Sequence, residues 1–192
     1  MALFTEQSLR DAANVVRKSE GFRRAANRIL LEDALASAGK TFDIFLSHSF
    51  NDAELILGLK KKLNEYGHSV YVDWIDDAQL DRSKVNRETA ATLRERMKQC
   101  TSLFFAVTSN SSLSKWMPWE CGFFDAYRDK VAICPITKNI EYSFKGQEYL
   151  GLYPYTAEAN DDKGRKRIWV QYSSDEYVTL DAWLKGSTPK KR

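Results

Sequence analysis

From Thr41 onward the chain alternates short apolar or aromatic runs with stretches in which apolar residues return every three or four positions. The first kind of run suits a strand and the second an amphipathic helix; their alternation is the pattern of a parallel sheet covered on both faces. Residues 42–46 form the first run. Asn51 and Glu54 follow at capping-box spacing, then Ile56, Leu59, Leu63 and Tyr66 at helical spacing until Gly67. Residues 70–74 predict a second strand, residues 75–84 a polar loop, and Ala90, Leu93, Met97 and Cys100 one face of a second helix. Residues 103–107 are apolar at successive positions, which predicts a central strand buried on both faces. A fourth strand is expected over 131–136. Between these two strands a hydroxyl-rich segment leads into a helix through Phe123, Phe124 and Tyr127, with Ser114 as its cap and Pro118 in its first turn. After residue 137 an irregular, Tyr-rich stretch is expected to reach 166. The run 168–170 then reads as a fifth strand, and Tyr177, Leu180 and Leu184 as a last helix.

The first forty residues have a different pattern. Leu9, Ala13 and Val16, then Phe22, Ala26 and Ile29, fall at helical spacing interrupted by Gly21, and Gly39 closes the unit. This predicts a helical extension over 1–40, either packed on the main domain or serving as an oligomerisation arm. The main domain would occupy 41–186, and 187–192 a frayed basic tail.

A chain of 192 residues supports one such core. No apolar run approaches the roughly 20 residues that cross a bilayer, and residues 1–10 lack the order of a secretory signal. Cys100, Cys121 and Cys134 are an odd set without CxxC spacing. They fit reduced thiols, so a cytoplasmic location is expected. The net charge is only +3, and the basic groups at Lys163, Arg165, Lys166 and Arg167 and at Lys190, Lys191 and Arg192 lack interleaved aromatics. Neither nucleic acid nor membrane is expected as a partner. GxGxxG, Walker A and metal-ligand spacings are absent, which excludes ordinary dinucleotide redox, P-loop hydrolysis and zinc chemistry and leaves a flavodoxin-like α/β fold without a metal.

In such sheets ligands bind beyond the carboxyl ends of the strands. The loops gathered there carry Ser47, His48, Ser49 and Phe50 after the first strand, Asp73 and Trp74 at the end of the second, and Ser109 after the third; Trp116 and Glu120 follow at the next helix start. Trp116 and Glu120 are four apart, so on a helix they share a face and would set a flat ring beside an acid. On spacing alone this pair reads equally as a packing tryptophan and a first-turn glutamate favoured by the helix dipole. His48 beside two serines admits a base role, but no nucleophile elbow accompanies it, and a hydrogen-bonding loop residue is the plainer reading.

The stretches Phe42-Asp-Ile-Phe-Leu-Ser-His-Ser49, Val70-Tyr-Val-Asp-Trp74 with its loop, and Ser114-Lys-Trp-Met-Pro-Trp-Glu120 resemble, in that order, the signature boxes of bacterial Toll/interleukin-1 receptor (TIR) domains. The resemblance covers about residues 41–136. It implies a flavodoxin-like fold with a central five-stranded parallel sheet flanked by helices. It implies NAD+ as substrate rather than cofactor, Glu120 as the catalytic carboxylate, and Ser47, His48, Ser49, Phe50, Asp73, Trp74, Ser109 and Trp116 as substrate-binding residues. Residues 75–84 would correspond to the loop that gates ligand and mediates self-association. A small stand-alone member is similar to the component of Thoeris antiphage systems that makes an ADP-ribose-derived, cyclic signal for a separate effector protein. Two rival expectations are a non-enzymatic TIR interaction module and a nucleoside deoxyribosyltransferase-like enzyme.

Overall fold

The computed structural model describes residues 1–19, 41–77, 85–146 and 148–192. The expected helical positions Phe22, Ala26 and Ile29, the breaks at Gly21 and Gly39, and positions 78–84 of the polar loop lie outside the described residues.

In chain order the elements are β1 (Phe4–Thr5), α1 (Glu6–Ser19), β2 (Phe42–Ser47), α2 (Ala53–Glu65), β3 (Val70–Tyr71), α3 (Asp73–Asp76), α4 (Arg87–Lys98), β4 (Cys100–Val107), α5 (Met117–Arg128), β5 (Val131–Thr137), β6 (Tyr155–Asn160), β7 (Lys166–Gln171), β8 (Glu176–Thr179), α6 (Leu180–Leu184) and β9 (Lys190–Lys191). The strands share one sheet in the order β3-β2-β4-β5-β6-β7-β8-β9, with β1 also on β5. The pairs from β3 to β6 are parallel, and those from β6 to β9 antiparallel. The five parallel strands thus follow the flavodoxin-like order, whose switch point lies between β2 and β4.

Period-two alternation divides the core. Ile44, Leu46, Phe104, Ala106, Ala132 and Cys134 face α2, where Ile56, Leu59 and Leu63 meet them. Phe45, Leu103, Phe105, Val131 and Ile133 face the other way, against Leu93 and Met97 of α4 and Met117, Cys121 and Phe124 of α5. Both layers exclude water, which is why these strands read as unbroken apolar runs.

Several local expectations are overturned. The second strand ends at Tyr71, because Asp73 opens a helical turn and its carboxylate accepts the Trp74 N–H at 2.8 Å. Cys100 begins β4 rather than closing a helix. The capping box does not form. Asp52 stands at the N-cap without a side-chain cap bond, and Glu54 instead pairs with Arg10 and Arg17 of α1. The fifth parallel strand is β6, joined to β5 at Ile133 and Tyr155. The run 168–170 belongs to β7, which turns back along β6. Tyr177 lies in β8, not in a helix. The tail is not frayed: Lys190 and Lys191 pair with Tyr177 and Glu176.

The first nineteen residues are built into the domain. Phe4 and Thr5 pair with Ile136 and Thr137 of β5, while Ala2 exchanges backbone hydrogen bonds with Glu158 of β6 in both directions, at 2.9 and 2.7 Å. Helix α1 lies on α2 so closely that a Cβ on Gly58 would stand 1.9 Å from the Leu9 carbonyl oxygen. That approach explains a glycine in mid-helix, a position where it otherwise costs about 1 kcal/mol relative to alanine.

Candidate active site

Ser47 is the last residue of β2 and is paired to Phe105 of β4. Strand parity puts its side chain on the same face as Phe45, toward α5. Helix α5 starts with Pro118 in its first turn, and the Met117 N–H is accepted by Ser114 Oγ at 3.3 Å. Its first two turns bury Met117, Glu120, Cys121 and Phe124. The two elements meet where the Ser47 hydroxyl donates to Glu120 Oε2 at 2.5 Å, both residues being 0% exposed. Bonds of this length to a carboxylate are charge-assisted and about twice as strong as neutral ones.

The neighbouring loop is equally ordered. His48 Nδ1 lies 2.8 Å from the Leu46 carbonyl, and the Trp74 indole N–H donates to Nε2 at 3.1 Å. An indole N–H can only donate, so Nε2 is an acceptor, the proton sits on Nδ1, and the ring is neutral. Asp73 Oδ1 stands 3.5 Å from Nε2, too long to compete with Trp74 for it. His48 is therefore engaged on both nitrogens and takes no proton from Ser47, whose hydroxyl points to Glu120. A serine-and-histidine nucleophile pair is not assembled.

Ser49 is buried beside His48. Phe50 is 78% exposed, its ring in solvent. Ser109 is exposed and lines a polar cleft of about 310 Å³ with Arg10, Asn51, Asp52, Thr108 and Lys138, on the α2 side of the sheet edge. Trp116 is buried, one turn before Glu120, with its ring edge-on to Trp119 at 5.4 Å. The structure thus brings Ser47 to Glu120 and His48 to Trp74 and Asp73; Phe50 and Ser109 stand apart from both groups.

Two buried carboxylates that the sequence did not single out organise the surroundings. Asp52 accepts from Thr108 Oγ1 at 2.6 Å and from Asn110 Nδ2 at 2.7 Å, clamping the loop after β4 to the loop after β2. Asp77 takes a two-pronged bond from Arg96 of α4, at 2.6 and 2.7 Å, and a third from the Tyr71 hydroxyl at 2.7 Å. Burial, then that bond to Asp77, holds the Tyr71 phenol far above its ordinary range. Asp76 is tied to Lys60 of α2 at 2.6 Å, and burial lowers the Lys60 ammonium despite that partner. The turn bearing Trp74 is thereby pinned from both faces of the sheet. Partners 16 to 58 residues apart left no local spacing by which to find them. Cys121, next to Glu120, is pushed up to about 11 by burial, against a smaller lowering from its hydrogen bond with Tyr153.

The fold is that of the flavodoxin-like α/β proteins, which take ligands at the carboxyl edge of their strands, and here a carboxylate is buried beside the strand-order switch. No family model matches the chain. It is 50% identical over 190 residues to a protein of Bacillus cereus (strain MSX-D12) named "Probable 3′ cyclic ADP-D-ribose synthase ThsB′", covering 96% of this chain and 98% of that one. It is also 34% identical over 85 residues, 44% of this chain and 22% of the other, to a Cytobacillus dafuensis protein provisionally named a cyclic ADP-D-ribose synthase, TIR2. The chain belongs to the TIR-domain proteins of the ThsB′ kind.

Proposed function

We propose that this protein cleaves the nicotinamide–ribose bond of NAD+ and closes the remaining ADP-ribose on itself, with Glu120 as the catalytic carboxylate. The observation that carries the reading is the wholly buried Glu120, anchored at 2.5 Å to the last residue of β2 at the strand-order switch. The near full-length likeness to a protein named as a cyclic ADP-ribose synthase supports the same chemistry.

Nicotinamide is cationic in NAD+ and departs neutral, so its departure needs no general acid. What the reaction needs is an anion beside the oxocarbenium-like ribose, and a pre-oriented carboxylate in a water-poor site supplies it. An internal hydroxyl or ring nitrogen then attacks in place of water wherever the pocket folds the ligand. NAD+ is substrate here, not a resident cofactor. The cyclic product serves as a signal to a separate effector protein in antiphage defence, produced in the cytoplasm by an enzyme that works as a self-associated assembly. No helix among the described residues is long and apolar enough to cross a membrane.

Concentrated protein, alone and with extract of phage-infected cells, is incubated with NAD+ and the products separated with mass detection. Nicotinamide together with a species one water lighter than ADP-ribose, both absent for Glu120→Ala, is the expected result. No release under any condition supports the interaction module, and turnover of nucleosides in place of NAD+ the deoxyribosyltransferase.

A further inference from the structure

The TIR resemblance places Ser47 among the groups that touch substrate, but its geometry assigns it different work. We propose that Ser47 is a positioning residue that acts through Glu120, holding the carboxylate in the orientation from which it meets the ribose. This rests on Glu120 being the catalytic carboxylate.

Three observations carry it. Ser47 is 0% exposed, and its one hydroxyl proton is directed at Glu120 Oε2 across 2.5 Å. Its backbone is fixed, because Ser47 is the last residue of β2 in register with Phe105 of the central strand. Glu120 is held at a helix start, its N–H donating to the Trp116 carbonyl at 2.8 Å. It stands in the first turn of α5, and Trp116, the residue before that helix, lies in helical backbone without capping through its own side chain. A glutamate there has three side-chain torsions to fix. The bond from Ser47 ties the carboxylate to the sheet, so that the rigidity of paired strands is brought to bear on its direction. Orientation of this kind is worth a great deal where a charge must sit within a fraction of an ångström of a forming cation. The neighbouring His48 does not share the task, since both its ring nitrogens are engaged by Leu46 and Trp74.

The test compares Ser47→Ala, which removes the donor, with Ser47→Thr, which keeps it, under conditions where the parent protein turns NAD+ over. Ser47→Ala is expected to lower kcat about 10- to 100-fold with KM within about threefold of the parent, because a misdirected carboxylate impairs the transition state more than substrate binding. Ser47→Thr is expected to recover most of the loss. NAD+ binding by Glu120→Gln is expected to be unchanged on adding Ser47→Ala. A rise in KM at unchanged kcat makes Ser47 a substrate contact and overturns the proposal. Equal loss in the alanine and threonine variants at unchanged melting temperature makes it a packing residue and does the same. Should Ser47→Ala not fold, Ser47→Cys, which keeps the volume and weakens the donor, is read by the same kcat and KM criteria. Inactive Glu120→Gln beside fully active Ser47→Ala sinks the positioning role alone; a fully active Glu120→Gln sinks the catalytic reading with it.

Discussion

Glu120 and Asp52 are the same chemical group, comparably buried at 0% and 4% exposure, at the same edge of the same sheet but on opposite faces of it. Their partners separate them. Asp52 has each oxygen taken by a donor from one loop, a hydroxyl and an amide two residues apart, and the result is a staple between two loops. Glu120 has its Oε2 held by the terminal residue of a core strand, and what is fixed is the direction of the carboxylate itself. Burial alone does not mark an acid as functional. A carboxylate whose donors come from a mobile kind of element organises that element, whereas one whose donor comes from the sheet is itself the group being organised. Asp77 takes donors from both a helix and a strand, Arg96 of α4 and Tyr71 at the end of β3, and between them they fill its oxygens.

The contrast can be broken or sharpened by substitution. Glu120→Ala has the largest expected effect, a loss of about 10²- to 10³-fold in kcat, read by nicotinamide release, with the melting temperature shifted by no more than a few degrees. Arg96→Ala reverses the pattern. It leaves the buried Asp77 without its cation at a cost of about 3 kcal/mol, a fall in melting temperature of about 6–12 °C for a chain of this size, while the enzyme that remains folded keeps most of its turnover. Asp52→Ala strands the Thr108 hydroxyl and the Asn110 amide and is expected to cost about 2 kcal/mol, or about 4–8 °C. Here too kcat stays within about fivefold; a loss as deep as that of Glu120→Ala would abolish the distinction drawn between the two acids. The smallest effect is expected of Cys121→Ala. With the thiol pushed up to about 11 by burial, it stays protonated at neutral pH, so turnover should hold within about threefold, and iodoacetamide should label Cys121 only after denaturation, as read by mass.

The parallel half of the sheet was legible in the sequence because β2, β4 and β5 are buried on both faces and write that burial as continuous apolar residues. From β6 onward the sheet was less so, although the strand at 168–170 was found. In β6 the sequence Tyr-Thr-Ala-Glu-Ala-Asn is buried only over its first three residues, so it carries neither an apolar run nor a clean alternation. Tyr177 and Leu180 imitate a helical spacing while belonging to a strand and to the helix after it. At the N-terminus of α2, a tertiary contact overrode a local rule: the glutamate offered by the capping box is drawn to two arginines of α1. The site divides in the same way. Glu120 stood out by its place in a motif, whereas Ser47 was read as a substrate-binding loop residue and its bond to Glu120 came only from the fold. The bonds of Asp52 to Thr108 and Asn110 and of Asp77 to Arg96 join segments brought together only by the fold, and no spacing along the chain encodes them.

The pairing of Phe4 and Thr5 with Ile136 and Thr137, and of Ala2 with Glu158, bears on how the chain is made. Synthesis delivers the first strand long before either of its neighbours, so β1 has nothing to join until β5 and β6 have left the ribosome. β1 therefore joins the sheet through a long-range pairing, of the kind that slows folding and leaves apolar surface waiting. In the interval Leu3 and Phe4, both buried in the finished protein, are side chains that a nascent-chain chaperone would find exposed, whereas Leu9 already has α2 to pack on.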